Sequence, residues 1–331
     1  MNRLIQYGSV ESIPYYNCSG KTTEEWNATG LSRPLLGWPI FIFGIFIECL
    51  YLPIIYIIFK TRLIRHACYK IILTLAFVDM SATVCSCLIT GPLLIYGAVF
   101  CSSPTFVYIL GGISLTTWCT ACCTTVALFL NRVISIAFQH YSDVIEKKLA
   151  YGSIVLCLFY AFYIFVFTPT VCYNSVIMVW LPDPLTIDPA DKTQDALDYY
   201  RNTPQAWNNW IFVSSMFILF SIYFFLVKRL AKGQKSKASK AIFIQCSIIC
   251  FFNTTVAMIY NVLSFITPAP WVLVVGQLAW SINHACPAMI YVTMNDTIRK
   301  EFRKLVLGGY KKKVENTSTI MTGQTPSDSR I

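Results

Sequence analysis

The chain has 331 residues, of which 56% are hydrophobic and 13% charged, and its formal net charge is +10. A soluble domain carries about 25% charged residues and fewer than half apolar ones, so this composition excludes an ordinary water-soluble domain and favours a membrane protein. Since a helix rises ~1.5 Å per residue, crossing a hydrocarbon core of ~30 Å takes about 20 apolar residues.

Seven apolar blocks approach or exceed that length, and together they contain only two acidic residues, Glu48 and Asp79, and no Lys or Arg. In chain order, the predicted spans are residues 36–59, 71–96, 105–130, 149–171, 210–227, 241–266 and 271–294. Barrel strands would instead alternate over about ten residues. The predicted fold is therefore an all-α membrane protein with a seven-transmembrane helix bundle. It divides the chain into an N-terminal tail (1–35), a seven-transmembrane domain with the short helix that follows it (36–307) and a C-terminal tail (308–331).

The basic residues are divided unequally between the two sides of the membrane. Residues 1–35 and the segments after the second, fourth and sixth spans hold five of the 26, and the other segments hold 21. Because short basic loops stay in the cytoplasm, we expect an extracellular N-terminus and a cytoplasmic C-terminus at the plasma membrane. The net charge then reflects topology and the anionic inner leaflet, so it indicates a lipid bilayer as partner and no nucleic acid.

The N-terminal tail carries two further signals. Residues 1–35 lack a basic region followed by an apolar one, so we expect no cleaved signal peptide and assign insertion to the first span. Asn17 and Asn27 begin Asn-X-Ser/Thr sequences, which predicts glycosylation at both if the tail is extracellular.

Of the 14 cysteines, ten lie in the spans, where a thiol behaves as a small apolar group. On the outer side, a Cys18–Cys101 disulfide is the preferred pairing, Cys101–Cys172 is the rival, and a reduced set is the third possibility. Cys119 and Cys122 have no matching second pair, and the chain has only three histidines. These residues predict no metal, no cofactor and no enzymatic activity.

Polar residues at bilayer depth are costly and are candidates for function. Glu48, Asp79, Asn283 and His284 lie on three spans at one depth, roughly 16–18 Å from the inner interface at ~1.5 Å per residue. In one interpretation they form a hydrogen-bonded or ion-binding switch cluster. In the other they hold the helices together, at ~1 kcal/mol for each bond.

The predicted cytoplasmic side has three notable features. Asn131 and Arg132 end the third span, where they are either an ordinary basic flank or a gate at the mouth of the bundle. Lys232, Lys235 and Lys237 belong to a loop with six basic residues and no acid, which could bind an acidic partner surface.

After the last span, apolar and basic residues alternate at helical spacing, which predicts an amphipathic helix on the inner leaflet. The polar tail that follows is predicted to be disordered. On the outer side, residues 172–209 are predicted to form an irregular lid. Four residues in the spans are candidates for a ligand pocket, although helix packing also explains each of them: Trp118, Tyr260, Gln277 and Trp280.

Several of these residues match sequence patterns of known receptors. Residues 75–79 match the second-helix pattern of rhodopsin-like receptors, and Asn131 with Arg132 resembles a variant of their Asp-Arg-Tyr element. Pro287, Tyr291 and the following helix resemble a degenerate seventh-helix motif. Two departures stand out, because Asn131 replaces the acid before the arginine and the sixth span has no aromatic-proline pair.

A closer resemblance is to the nematode serpentine chemoreceptors of class T. It covers every span except the fifth. The resembling residues are Glu48, Tyr51, Pro53, Cys68–Lys70, Gly97–Cys101, Asn131, Arg132, Phe167–Pro169, Asp183, Pro184, Gly276, Gln277, Trp280, His284, Cys286, Pro287, Tyr291, Asn295, Ile298 and Arg299. The resemblance implies a chemosensory receptor that couples an unidentified small-molecule or peptide ligand to a heterotrimeric G protein. A seven-span transporter or ligand-gated channel is the alternative, although no inverted repeat is evident in the sequence.

Overall fold

The computed structural model describes residues 1–138, 142–185, 193–230, 237–263 and 269–306. We number the seven long helices of this part of the chain α1 to α7. Their bounds are Pro34–Lys60, Ala67–Tyr96, Pro104–Ala137, Ser142–Phe167, Thr203–Leu230, Lys237–Leu263 and Pro270–Met294. A shorter helix, α8, follows at residues 296–306. The predicted all-α bundle is confirmed.

Six of these helices, α1 to α6, are long and apolar enough to cross a membrane. The seventh has 25 residues, and three polar groups, Gln277, Asn283 and His284, reduce its apolar character. Both α4 and α5 begin seven residues before the predicted apolar block, since a polar first turn can still be helical. The α4 helix ends at Phe167, just before Pro169, because the residue preceding a proline is disfavoured in a helix.

The α3 helix lies at the centre of the bundle and packs against α2, α4, α5 and α6. On one side, α7 packs against α1, α2 and α6. The α1 and α2 backbones approach closely at Gly37 and Gly91, where a Cβ added to either glycine would clash with the other's carbonyl oxygen. Small residues of this kind allow helices in a membrane to pack backbone to backbone.

The α2 helix contains one irregular stretch that the sequence did not predict. Ala67–Thr83 and Thr90–Tyr96 are α-helical, whereas Val84–Ile89 forms a π-helical segment between them. The wider turn leaves carbonyl groups without their usual partners. The Thr90 hydroxyl donates to the Cys85 carbonyl, and the Ser281 hydroxyl of α7 lies 3.4 Å from the Ser86 carbonyl oxygen.

The N-terminal segment is folded over one end of the bundle. A disulfide joins Cys18 to Cys101, with 5.6 Å between the Cα atoms, and we call this side the disulfide end and the opposite side the Arg132 end. The segment contains two short helices, Asn2–Tyr7 and Thr23–Thr29. The indole of Trp26 donates a hydrogen bond to the Cys18 carbonyl, and the ring of Tyr16 is fully buried.

The prediction of an irregular loop after α4 is partly wrong. The loop contains an antiparallel hairpin of β1 (Cys172–Asn174) and β2 (Val179–Leu181). Tyr173 is paired with Trp180 in this hairpin. The hairpin lies against the disulfide end, where the Trp180 indole donates to the Thr90 hydroxyl across 3.0 Å. Cys172 is a free thiol, and burial raises its pKa well above the ordinary value, which keeps it protonated and unreactive.

At the Arg132 end, α8 begins at a capping residue. The Asn295 side chain accepts a hydrogen bond from the Ile298 amide and donates one to the Tyr69 hydroxyl of α2. Lys60 of α1 lies 3.5 Å from Glu301 of α8. Ile298 is fully buried whereas the Lys304 side chain is 72% exposed, as expected for the predicted amphipathic helix.

The disulfide closes a separation of 83 residues. We therefore expect Cys18→Ser to lower the free energy of unfolding by about 2–4 kcal/mol, because the cross-link restricts the unfolded chain. The thermal midpoint of the purified protein measures this effect. Cys49→Ser removes an exposed free thiol and is the control. Equal midpoints for the two variants would show that the disulfide adds nothing to stability.

Candidate functional site

The most deeply buried polar site joins α1, α2 and α7 in the middle of the bundle. Asp79 Oδ1 lies 2.7 Å from His284 Nδ1, and both side chains are almost fully buried. The Tyr51 hydroxyl of α1 lies 3.1 Å from Asp79 Oδ2 and 2.7 Å from the His284 carbonyl oxygen. Tyr51 is also fully buried, so all three side chains lie in the interior of the bundle.

The Tyr51 hydroxyl links the three helices at this site. It has one hydrogen and two acceptors within reach, Asp79 Oδ2 and the His284 carbonyl oxygen, so the two contacts share that hydrogen. The contact with Asp79 occupies His284 Nδ1, whereas Nε2 of the same ring is buried without a hydrogen-bond partner among the described residues.

The other two residues of the predicted switch cluster lie apart from this pair. Asn283 points to α6, where its amide donates to the Asn253 side chain across 3.2 Å. Glu48 is half-buried on α1 near Cys87, and its Oε1 has no hydrogen-bond partner within the described ranges. The structure therefore brings together two of the four predicted residues and adds Tyr51, whose role was not predicted.

A small cavity lies on the disulfide side of this site, and its volume is about 40 Å³. Three of the four predicted pocket residues line it, namely Trp118, Tyr260 and Trp280, together with Trp180 of the hairpin. The edges of Trp118 and Trp280 pack against His284, with ring centroids 6.3 and 6.0 Å from it. The cavity and the buried pair thus share a wall of aromatic rings.

The fourth predicted pocket residue, Gln277, points elsewhere. Its amide nitrogen lies 3.4 Å from the Ser86 carbonyl oxygen, which belongs to the π-helical segment of α2. Two buried groups on the cavity wall, Ser114 Oγ and Trp280 Nε1, have no hydrogen-bond partner among the described residues. Unpaired polar groups around an apolar cavity are typical of a binding site.

At the Arg132 end, Arg132 of α3 is paired with α4. Its guanidinium lies 3.7 Å from Glu146 Oε2, and it also donates to the Asn131 side chain. Both members of the ion pair are largely buried. Glu146 was not singled out in the sequence, where it is one acid beside two lysines in an α4 end that the apolar block does not include.

A second polar contact at this end joins α2, α6 and α8. The Asn295 amide that donates to Tyr69 also lies 3.5 Å from Gln245 Oε1, and Gln245 Nε2 donates to the Met294 carbonyl. Of the predicted basic loop, Lys232 and Lys235 lie outside the described residues. Lys237 begins α6, and the structure describes its backbone alone.

The two predicted glycosylation residues, Asn17 and Asn27, are exposed at the disulfide end. Within the described ranges, no group of three or more His, Cys, Asp or Glu side chains is arranged to hold a metal ion.

Seven long helices in the described part of the chain, six of them apolar enough to cross a membrane, place the protein in the class of seven-transmembrane helical proteins. Comparison with known families then specifies it further. Residues 3–316 match the family described as serpentine type 7TM GPCR chemoreceptor Srt, and the chain belongs to this family. It is also similar to serpentine receptor class T-55 of Caenorhabditis elegans, with 24% identity over 320 residues that cover 94% of this chain and 85% of the relative.

The buried pair makes a testable contribution to stability. We expect Tyr51→Phe to lower the free energy of unfolding by about 1–3 kcal/mol, because the His284 carbonyl and Asp79 lose a buried partner. Thermal unfolding in detergent measures the change. Tyr96→Phe removes a hydroxyl from a ring that is 83% exposed and serves as the matched control. If Tyr51→Phe and the control had the same thermal unfolding midpoint, the hydrogen bonds assigned to the Tyr51 hydroxyl would be contradicted.

Proposed function

We propose that this protein is a chemosensory receptor that binds an external chemical cue in the helix bundle and activates a heterotrimeric G protein. The observation that supports this most is the contact between the aromatic cavity and His284, since it places a binding volume directly against a buried polar pair. The chemoreceptor family to which the chain belongs supports the same function.

The ligand-binding part of the proposal rests on the cavity between Trp118, Tyr260 and Trp280. This cavity has room for water, whereas a drug-sized ligand fills a site several times larger. A cue must therefore displace the aromatic rings, and the rings pack against His284. Binding then alters the surroundings of the His284–Asp79 pair, which gives the switch its physical basis. Gln277 has a structural role at the π-helical segment in this proposal.

The G protein part of the proposal rests on Arg132 and the basic segment with Lys232, Lys235 and Lys237. In rhodopsin-like receptors the arginine follows an acid, but here Asn131 is uncharged. Glu146 of α4 supplies the carboxylate instead, which holds Arg132 against α2 and α4. Activation in this proposal releases Arg132 to the G protein.

The orientation follows from the distribution of basic residues, with the disulfide end outside the cell and the Arg132 end in the cytoplasm. A disulfide belongs in an oxidising compartment, and exposed Asn17 and Asn27 at the same end are accessible to glycosylation there. The hairpin and the N-terminal segment then cover the cavity from outside.

Screening of small molecules and peptides with a second-messenger readout tests the receptor function. Once a cue is found, we expect Trp280→Phe to raise its half-maximal concentration about tenfold, because the variant loses part of the aromatic wall of the cavity and a buried indole donor that has no partner among the described residues. Trp38→Phe, at an exposed ring of α1 away from the cavity, should leave that concentration unchanged. A cue-evoked current in cells that lack G proteins would support the channel alternative and contradict the proposal.

The Arg132–Glu146 pair predicts how basal signalling responds to mutation. We expect Glu146→Gln to raise signalling without a cue about fivefold, which corresponds to a shift of ~1 kcal/mol toward the active state. Asp296→Asn, which removes an exposed carboxylate paired with Arg299 at the same end, is the control. Unchanged basal signalling in Glu146→Gln at equal surface expression would exclude the pair as a lock.

A further inference from the structure

A large cleft opens on the outside of the bundle between α4 and α5, with α3 as its floor, and we call it the α4–α5 cleft. Its volume is about 900 Å³, toward the upper end of the range for small-molecule sites. Both α4 and α5 pack against α3. Because all three helices are apolar enough to cross a membrane, the cleft faces the lipid and not the aqueous phase.

The protein leaves the centre of this cleft unfilled. Gly152 of α4 lines it, and a Cβ built on that glycine would meet no atom within 4 Å. A glycine weakens a helix interior relative to alanine, and this one makes no close helix contact that would require it. Leu156, one turn further along α4, is 62% exposed on the same wall. The space beside Gly152 is therefore available to a molecule from the bilayer.

One end of the cleft carries a polar pair. The Tyr160 hydroxyl of α4 donates to Asn208 Oδ1 of α5 across 2.8 Å, and both residues line the cleft. They lie between one and two helical turns from the ends of α4 and α5 at the disulfide end. The Asn208 amide also lies beside the Cys122 thiol, which is a weak acceptor. A ligand oxygen would be a better partner for this amide.

The polar pair is connected to the core of the bundle. Asn208 Nδ2 donates to Asn209 Oδ1, which also accepts a hydrogen bond from Trp118 Nε1 across 2.9 Å. Trp118 in turn packs against His284. A hydrogen-bonded path therefore runs from the lipid-facing cleft to the aromatic wall of the central cavity.

We propose that the α4–α5 cleft binds a neutral lipid of the sterol type, with its hydroxyl group at Asn208 and Tyr160 and its ring system over Gly152. Charge favours this occupant over a fatty acid. The polar pair is uncharged, and the one cation that lines the cleft among the described residues, Lys148, is more than three helical turns from Tyr160 along α4. A carboxylate at Asn208 would be buried without a counter-ion, whereas a hydroxyl can donate and accept there.

Photolabelling tests the proposal without requiring signalling. The receptor is reconstituted in phosphatidylcholine vesicles with a photoreactive cholesterol, and the labelled peptides are identified by mass spectrometry. We expect labelling of α4 and α5 around Gly152 and Ile211, with competition by unlabelled cholesterol. Gly152→Phe places a ring in the open space and should reduce this labelling about tenfold, and Tyr160→Phe should reduce it about fivefold.

Val155→Phe is the matched control, because Val155 faces lipid on α4, is 51% exposed and does not line the cleft. Photolabelling of α4 and α5 in this variant should equal that in the wild type. In sterol-free vesicles the unfolding midpoint of Gly152→Phe should equal that of wild type, which separates blocking of the cleft from misfolding. Added cholesterol should raise the midpoint of wild type and of Val155→Phe but not that of Gly152→Phe. Uniform labelling of all lipid-facing helices would overturn the proposal. The proposal would also be overturned if photoreactive palmitic acid competed away the labelling and Lys148→Gln abolished it.

Discussion

A carboxyl group in the middle of a bilayer has no water to pair with, and the amide donors of its own helix are already used, so it finds its partners on other helices. Asp79 lies at that depth on α2, and its carboxyl group meets His284 of α7 and Tyr51 of α1. Any rotation of one of these helices about its axis would separate the groups and leave at least one buried without a partner, at a cost of about 1–3 kcal/mol. This requirement fixes the rotational register of α1, α2 and α7, which apolar packing alone leaves loosely determined because lipid is as apolar as the helix surfaces.

The same pair sets the position of the aromatic wall. Trp118 and Trp280 approach His284 edge-on, an arrangement that aromatic rings favour. Pro287 of α7 follows one turn after Asn283 and cannot donate to its carbonyl group, so this part of the helix is less constrained by its own hydrogen bonds. The cavity, the buried pair and the weakened turn of α7 are therefore neighbours, which is the arrangement expected where a small displacement must be transmitted along a helix.

The sequence predicted the features that depend on residue type and on position along the chain, and it missed those that depend on the direction of a side chain or on local backbone geometry. Apolar run length located the spans, because the bilayer imposes one length on every helix. Depth along the helix placed Glu48, Asp79, Asn283 and His284 at one level but could not give the direction of each side chain, and the structure turns Asn283 toward Asn253 and leaves Glu48 apart. The role of Glu146 was not predicted, because its partner, Arg132, is fourteen residues away on another helix. The π-helical segment at Val84–Ile89 left no pattern in the residue types that would distinguish it from an ordinary turn.

The position of α3 explains how the two ends of the bundle can respond together. Trp118 and Arg132 are on this one helix, about four helical turns apart. At one end the Trp118 indole is held by Asn209 of α5, and at the other the Arg132 guanidinium is held by Glu146 of α4. A helix with continuous backbone hydrogen bonds transmits a rotation with little loss over this length. A rotation that relaxes the Trp118 contact therefore also strains the Arg132 contact, and no separate chain of side chains is needed to connect the cavity to the Arg132 end.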